Sequence, residues 1–171
     1  MPTPTINGRA CVVNGKPVDK VFSNGKQVYG RNLLVGIDKA VRKATNWLYL
    51  LATIPAKSIG IGQHLCFSAF INNTPYVKYT LHGGSRCDIQ AIDSSGNILL
   101  EQHGNEINFD ADGISQVSII VPDKTDSVSL FIFTNWMNMN THYGYPKLEK
   151  GTVATPWTPA PEDVGAVVRS A

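Results

Sequence analysis

The chain has 171 residues and a mass of 18.6 kDa, enough for one ordinary domain with short extensions. Only 16% of its residues are charged and 43% are apolar, which excludes a disordered tail, a coiled coil and a basic nucleic-acid arm. Fifteen Lys and Arg against thirteen Asp and Glu leave a net charge of +2, too weak a field to hold a polyanion. Asn, Ser, Thr and Gly make up the polar balance, a surface suited to neutral, hydroxyl-rich partners.

In chain order, Met1-Pro2-Thr3-Pro4 has no basic region followed by an apolar run, so no signal peptide is expected. No run approaches the roughly 18 apolar residues of a membrane span, and the expectation is a soluble chain synthesised in a cytoplasm. Residues 1–30 form a leader with Asn7-Gly8, Asn14-Gly15 and Asn24-Gly25. Asn-Gly supplies the positive φ angles of a type I′ turn, so each marks a hairpin. The leader is too short to bury a core alone and reads as an adaptor, its strands pairing with a neighbour, or as a flexible extension.

From Arg31 the pattern is short strands broken by turns. Trp47–Leu51, Leu65–Ile71, Ile89–Ala91, Ile98–His103, Glu106–Asp110, Ile114–Val121, Ser127–Trp136 and Tyr145–Glu149 read as strands, with Val, Ile and Phe alternating in the clearest of them. Asp38–Asn46 allows a turn or two of helix, without continued helical spacing. Eight or so strands at regular intervals predict an all-β, jelly-roll sandwich over 31–151. Residues 152–171 form a Pro-rich extended tail, Thr155-Pro156-Trp157-Thr158-Pro159-Ala160-Pro161 being stiff. Val164 to Ala171 reads as the start of a following element.

Cys11, Cys66 and Cys87 make no metal or redox spacing. Cys66 and Cys87 read as buried thiols, a disulfide between them being the alternative. No nucleophile elbow, P-loop or His-Glu-x-x-His is present. Asp110-Ala111-Asp112-Gly113 opens like a calcium loop, but Val121 stands where the closing Glu belongs, so a hairpin turn is expected. Asp88, Asp93, Glu101 and Glu106 are candidates for a glycosidase pair, yet most acids sit beside Gly, Ser or Asn as turn carboxylates. No enzyme and no cofactor are expected.

What remains is ring and amide chemistry. Sugars offer C–H faces to aromatic rings and hydroxyls to planar polar groups. The run from Thr134 to Tyr145 is dense in both and is expected as a loop at the sandwich edge, where recognition usually sits. Trp136 and Tyr143 are assigned to stacking; Asn135, Asn138, Asn140 and His142 are assigned to hydroxyls. The bland alternative is that Trp136 caps the core and Tyr145 packs under the last strand. A second candidate is a polar sheet face of Tyr76, Lys78, Thr80 and His82 with Arg86, Asp88 and Gln90, in which Arg86 and Gln90 would bind hydroxyls. Its alternative is an ordinary solvated face. Trp47 and Tyr49 share a face and suit either stacking or the core.

Tyr29-Gly30-Arg31-Asn32-Leu33-Leu34 and the string from Tyr145-Pro146-Lys147-Leu148-Glu149-Lys150-Gly151 into Ala154-Thr155-Pro156-Trp157-Thr158-Pro159-Ala160-Pro161-Glu162-Asp163 bracket nearly the whole chain. They resemble the entry and exit of jelly-roll carbohydrate-binding modules in tail, baseplate and adsorption proteins of phages infecting Gram-positive bacteria. The resemblance implies non-catalytic binding of a host cell-wall saccharide by a virion module, with other tail or baseplate subunits as partners and neither nucleic acid nor membrane. It also implies that both bracketing motifs are structural. A structural calcium is frequent near the first and last strands of similar folds. Glu149 stands near such a place, but Leu148 replaces a paired acid.

Overall fold

The computed structural model describes residues 9–75, 84–135 and 141–164. Two hairpins open it. Strands β1 (Val12–Val13) and β2 (Lys16–Pro17) flank Asn14-Gly15; β3 (Lys20–Ser23) and β4 (Lys26–Gly30) flank Asn24-Gly25. Asn14 and Asn24 have φ of 50°, and Gly15 and Gly25 have φ of 74° and 75°, the type I′ geometry expected of the dipeptide. Each hairpin pairs within itself. Asn7-Gly8 lies outside the described residues.

The body is a jelly-roll β-sandwich. One sheet runs β6 (Leu48–Pro55), β12 (Ser127–Phe133), β8 (Gly84–Ile92), with β9 (Ile98–His103) and β10 (Ile107–Asn108) both pairing with β8. The other runs β5 (Arg42–Lys43), β13 (His142–Lys150), β7 (His64–Asn72), β11 (Asp112–Ile120). Counting β5, β6, β7, β8, β9, β11, β12 and β13 as one to eight gives the orders 1-8-3-6 and 2-7-4-5, all antiparallel. That is the eight-stranded jelly roll. Period two sends Phe67, Ala69 and Ile71 of β7, Ile89 and Ala91 of β8, Val117 and Ile119 of β11, and Leu130 and Ile132 of β12 into the space between the sheets.

Three expectations are corrected. Strand β12 ends at Phe133, not at Trp136. Strand β13 begins at His142, so His142 to Tyr145 belong to a strand and not to an edge loop. Asp38 to Asn46 contains no helix; it lies along β13 and contributes β5. Asp38 accepts from Arg42 and from the Ala40 amide, which holds its carboxyl down at about 2 and favours this turn over a helix.

The two bracketing motifs meet across the outer face of the β5–β13–β7–β11 sheet. Leu33 N–H donates to Leu148 O at 2.8 Å. Asn32, fully buried, donates to Thr158 O at 2.9 Å and accepts from Leu34 N–H. Gly30 N–H donates to the Thr155 hydroxyl at 3.0 Å. Residues 152–160 have no regular secondary structure, yet Thr155, Thr158 and Ala160 are buried. Proline in this segment removes donors that would otherwise need partners, so it can lie on a sheet face without joining a ladder.

Candidate functional site

A groove of about 660 Å³ crosses the outer face of the same sheet, walled by Val41, Phe70, Ile114, Tyr145, Pro156 and Trp157. Its parts come from four separate stretches of the chain. Phe70 points outward from β7 because Phe67, Ala69 and Ile71 point inward or lie flush with the core. Ile114 stands in the exposed phase of β11. Trp157 arrives on the extended segment after β13, where its indole N–H donates to Pro146 O at 3.0 Å.

Tyr145 is placed by a β-bulge. The register of β13 on β7 jumps from Gly144↔Phe70 to Lys147↔Ser68, so that Tyr145 and Pro146 together stand opposite the single residue Ala69. Pro146 suits that interruption, since it has no N–H to lose from the ladder. Tyr145 takes φ of 52°, a left-handed conformation uncommon for a bulky residue. The bulge turns its ring out of the sheet, leaving the residue 42% exposed. Phe70 and Trp157 flank it, each with ring centroids 6.4 Å away and planes at 86° and 82°. The three rings form right-angled walls rather than a flat platform.

Beneath the groove lies a buried ion pair. Lys147 is 1% exposed and Glu149 fully buried, with Nζ 3.9 Å from Oε2. Lys147 donates to the Thr155 hydroxyl at 2.9 Å and to Pro156 O at 2.8 Å. Glu149 accepts from the Thr155 N–H and hydroxyl. Burial pushes the lysine down to about 8 against the pull of the carboxylate, and burial likewise pushes Glu149 above the usual carboxylate range. These residues do not fit a calcium ion. Calcium takes six to eight oxygen ligands, whereas this carboxylate faces an ammonium and is engaged by Thr155. Among the described residues no cluster of three His, Cys, Asp or Glu can hold a metal.

Trp136, Asn138 and Asn140 lie outside the described residues, as do Tyr76, Lys78, Thr80 and His82. Asn135 sits in a turn after β12 with φ of 50°, and His142 is half-buried at the start of β13. Tyr143, assigned to stacking, is instead part of the core. It is 5% exposed, its ring centroid lies 5.4 Å from that of Tyr49, and its hydroxyl is 3.3 Å from the Tyr49 hydroxyl. The inward phase of β13 dictates this. Trp47 and Tyr49 therefore part company: Tyr49 packs inward, while Trp47 is half-exposed with its ring edge-on to Phe133.

Arg86 and Gln90 do share a face, on the other sheet, where several of their donors are held by acidic neighbours. Arg86 donates to Asp88 at 2.8 Å and to Glu106 at 3.2 Å, and its guanidinium lies 4.3 Å over the Phe133 ring. Asp88 also faces His103 at 3.1 Å. Gln90, 9% exposed, donates to Glu101. A donor already held by a carboxylate has less to offer a ligand hydroxyl. Among the described residues, Arg86, Asp88, Gln90, Glu101, His103 and Glu106 form a linked polar network on this face.

Phe70 and Trp157 are absent from the sequence-predicted set, and Tyr145 closes the Thr134–Tyr145 run without an assigned role. The Tyr145-Pro146 pair inside a strand is the local signal for a bulge that re-aims a side chain. Trp157 carries no local signal, because its neighbours in space come from β7 and β13.

No protein-family model matches the chain, and no curated protein matches it. Among solved structures it is similar to the CBM22-1 xylan-binding domain of Paenibacillus barcinonensis Xyn10C, at 12% identity and a TM-score of 0.45 over 89% of this chain and 86% of that one. It is also similar to the C-terminal family 22 carbohydrate binding module of Clostridium thermocellum Xyn10B, at 14% identity and a TM-score of 0.42 over 69% of this chain and 70% of that one. The enzymatically active domain of tailspike protein 4 of bacteriophage CBA120 matches at 11% identity and a TM-score of 0.36, over 54% of this chain. The match spans 12% of that tailspike chain.

Proposed function

We propose that the protein binds a host cell-wall polysaccharide without altering it, as a tail or baseplate module that aids phage adsorption. The observation that carries this reading is Tyr145, held outward in a left-handed conformation between Phe70 and Trp157. Backbone strain of this kind collects at binding sites and persists where the surroundings enforce it. Rings so displayed stack on the C–H faces of a sugar, and the groove volume lies in the ordinary range for ligand sites. Weak binding per copy is sufficient, since many copies on a virion multiply avidity.

The test is binding of a fluorescent fusion of the whole chain to host cells and purified walls. Tyr145→Ala and Phe70→Ala should each weaken binding about tenfold or more, as expected for lost stacking contacts, with the far-ultraviolet spectrum unchanged. Parent-like binding by both variants would remove the groove from the reading. If Trp136→Ala alone abolished binding, the site would include Trp136 instead of the groove.

A second reading, a spacer packing against other tail subunits, is favoured by the exposed apolar side chains of Trp47 and Leu50 at β6, the last strand of its sheet among the described residues. It predicts that the fusion leaves cells and walls undecorated.

A further inference from the structure

Resting on the groove as the saccharide site, we infer that the sugar it takes carries a methyl group, as a 6-deoxy or an N- or O-acetyl substituent, and enters methyl-first. The reason is the chemistry of the lining. Three polar side chains reach the groove: Ser68, Lys147 and Thr155. Thr155 accepts from Gly30 N–H and Lys147 and donates to Glu149. Lys147 is turned to Thr155, Pro156 O and Glu149. The Trp157 indole N–H is held by Pro146 O. Ser68 and the Tyr145 hydroxyl are what remain for hydrogen bonding.

A hexose that buried several hydroxyls here would surrender their water without replacement, which opposes binding. A methyl group has no such loss and gains the full apolar contact. The ring geometry agrees. Flat stacking of a regular glucan-type chain needs rings facing one way, whereas Tyr145 stands at 86° and 82° to its neighbours. Right-angled walls make a corner that surrounds a projecting group on several sides. Ser68, 6% exposed at the floor, is placed to meet the one polar atom of an acyl substituent or a ring hydroxyl behind the methyl.

The inference is tested on the whole chain with matched sugar pairs: D-fucose against D-galactose, and N-acetylglucosamine against glucose. Titration followed by saturation-transfer and chemical-shift NMR gives both affinity and the contacting protons. The methyl member of at least one pair should bind about tenfold or more tightly, its methyl protons should receive the strongest saturation, and Tyr145→Ala should erase the difference. The fucose and acetyl arms separate the two sources of the methyl. Equal binding within both pairs, a preference for the hydroxyl member, or no binding by either pair overturns the inference. Wall binding that persists and still depends on Tyr145 would leave the saccharide reading standing in that case. Should an apolar peptide perturb the Trp157 signals while no sugar does, the groove belongs to a protein partner and both fall.

Discussion

The Glu149 carboxyl group lies against the α-carbon of Gly30. A Cβ built on Gly30 would stand 2.9 Å from the carboxyl carbon of Glu149 and nearer still to one of its oxygens. Entry and exit of the sandwich are thus fitted to one another at a position where a single methyl group does not fit. The same glycine donates its N–H to Thr155, whose hydroxyl and amide satisfy Glu149. One hydroxyl therefore links the first bracketing motif to the floor of the groove.

Gly30→Ala should destabilise the protein by about 1–3 kcal/mol, the usual range for overpacking a filled site. Gly30 is not among the residues with positive φ, so the effect is contact and not backbone strain. Gly25→Ala offers the contrast. Its Cβ would meet nothing within 4 Å, but φ of +75° predicts a loss of about 1 kcal/mol from conformation alone. Urea denaturation distinguishes the two, because Glu149→Ala should relieve the first and leave the second unchanged. A Gly30→Ala midpoint equal to the parent's would remove the close fit.

The Lys147–Glu149 pair should behave as a buried salt bridge. Lys147→Met and Glu149→Gln should each cost about 3–5 kcal/mol by stranding the partner, while the double variant should return close to the parent. The pH dependence follows from the shifts. Glu149 is raised, so the stability it contributes is present at low pH and lost as pH climbs from 4.5 through its folded pKa. Lys147 is lowered to about 8, so its contribution is regained between 8 and 10.5, where the unfolded chain binds the extra proton. The stability of the parent minus that of the double variant should pass through a minimum near neutrality. A flat difference across pH 4 to 10 would deny the burial of the pair.

Thiol chemistry should be silent in the folded protein. Cys11, Cys66 and Cys87 are buried thiols that form no disulfide. Burial, with the nearby Glu149 charge second, pushes Cys66 up to about 12, and burial raises Cys87 as well. Iodoacetamide at pH 8 should label none of the three cysteines without denaturant and all of them with it, since the thiolate is the reactive form. The stability tied to Cys66 is present below about 9 and lost as pH rises toward 12. Rapid labelling of the native state, read by intact mass, would contradict the packing over β7.

Asn105 acts as a substitute strand at the edge of β11. Its amide donates to Ile114 O at 3.0 Å and accepts from Gln116 N–H at 2.9 Å, covering ladder groups that would otherwise invite another chain. Asn105→Ala should lower stability by about 1 kcal/mol and raise self-association. Sedimentation velocity across a concentration series reads the second effect; a variant that stays as monomeric as the parent would show the cap to be unnecessary.

The sandwich was legible because its signals are local. Period-two alternation in Leu65–Ile71 and Ile114–Val121 reports which face is buried, and Asn14-Gly15 and Asn24-Gly25 report their turns through residues that tolerate positive φ. Where the reading departs from the structure, the deciding contacts are remote. Tyr143 belongs to the core because Tyr49, 94 residues away, meets it from the other sheet. The polar face of Arg86 and Gln90 reads as open in sequence because the alternation gives the direction of a side chain and not the acidic neighbours that engage it.

Sequence by itself determined the strand phases, the hairpin turns, the low charge and the class of fold, since each depends on residues within a few positions of one another. The tertiary structure alone decided that Phe70, Tyr145 and Trp157 stand around one groove and that Gly30 and Glu149 touch. Those relationships join segments far apart in the chain, and their geometry is set by how two sheets and an extended segment pack, which no local pattern encodes.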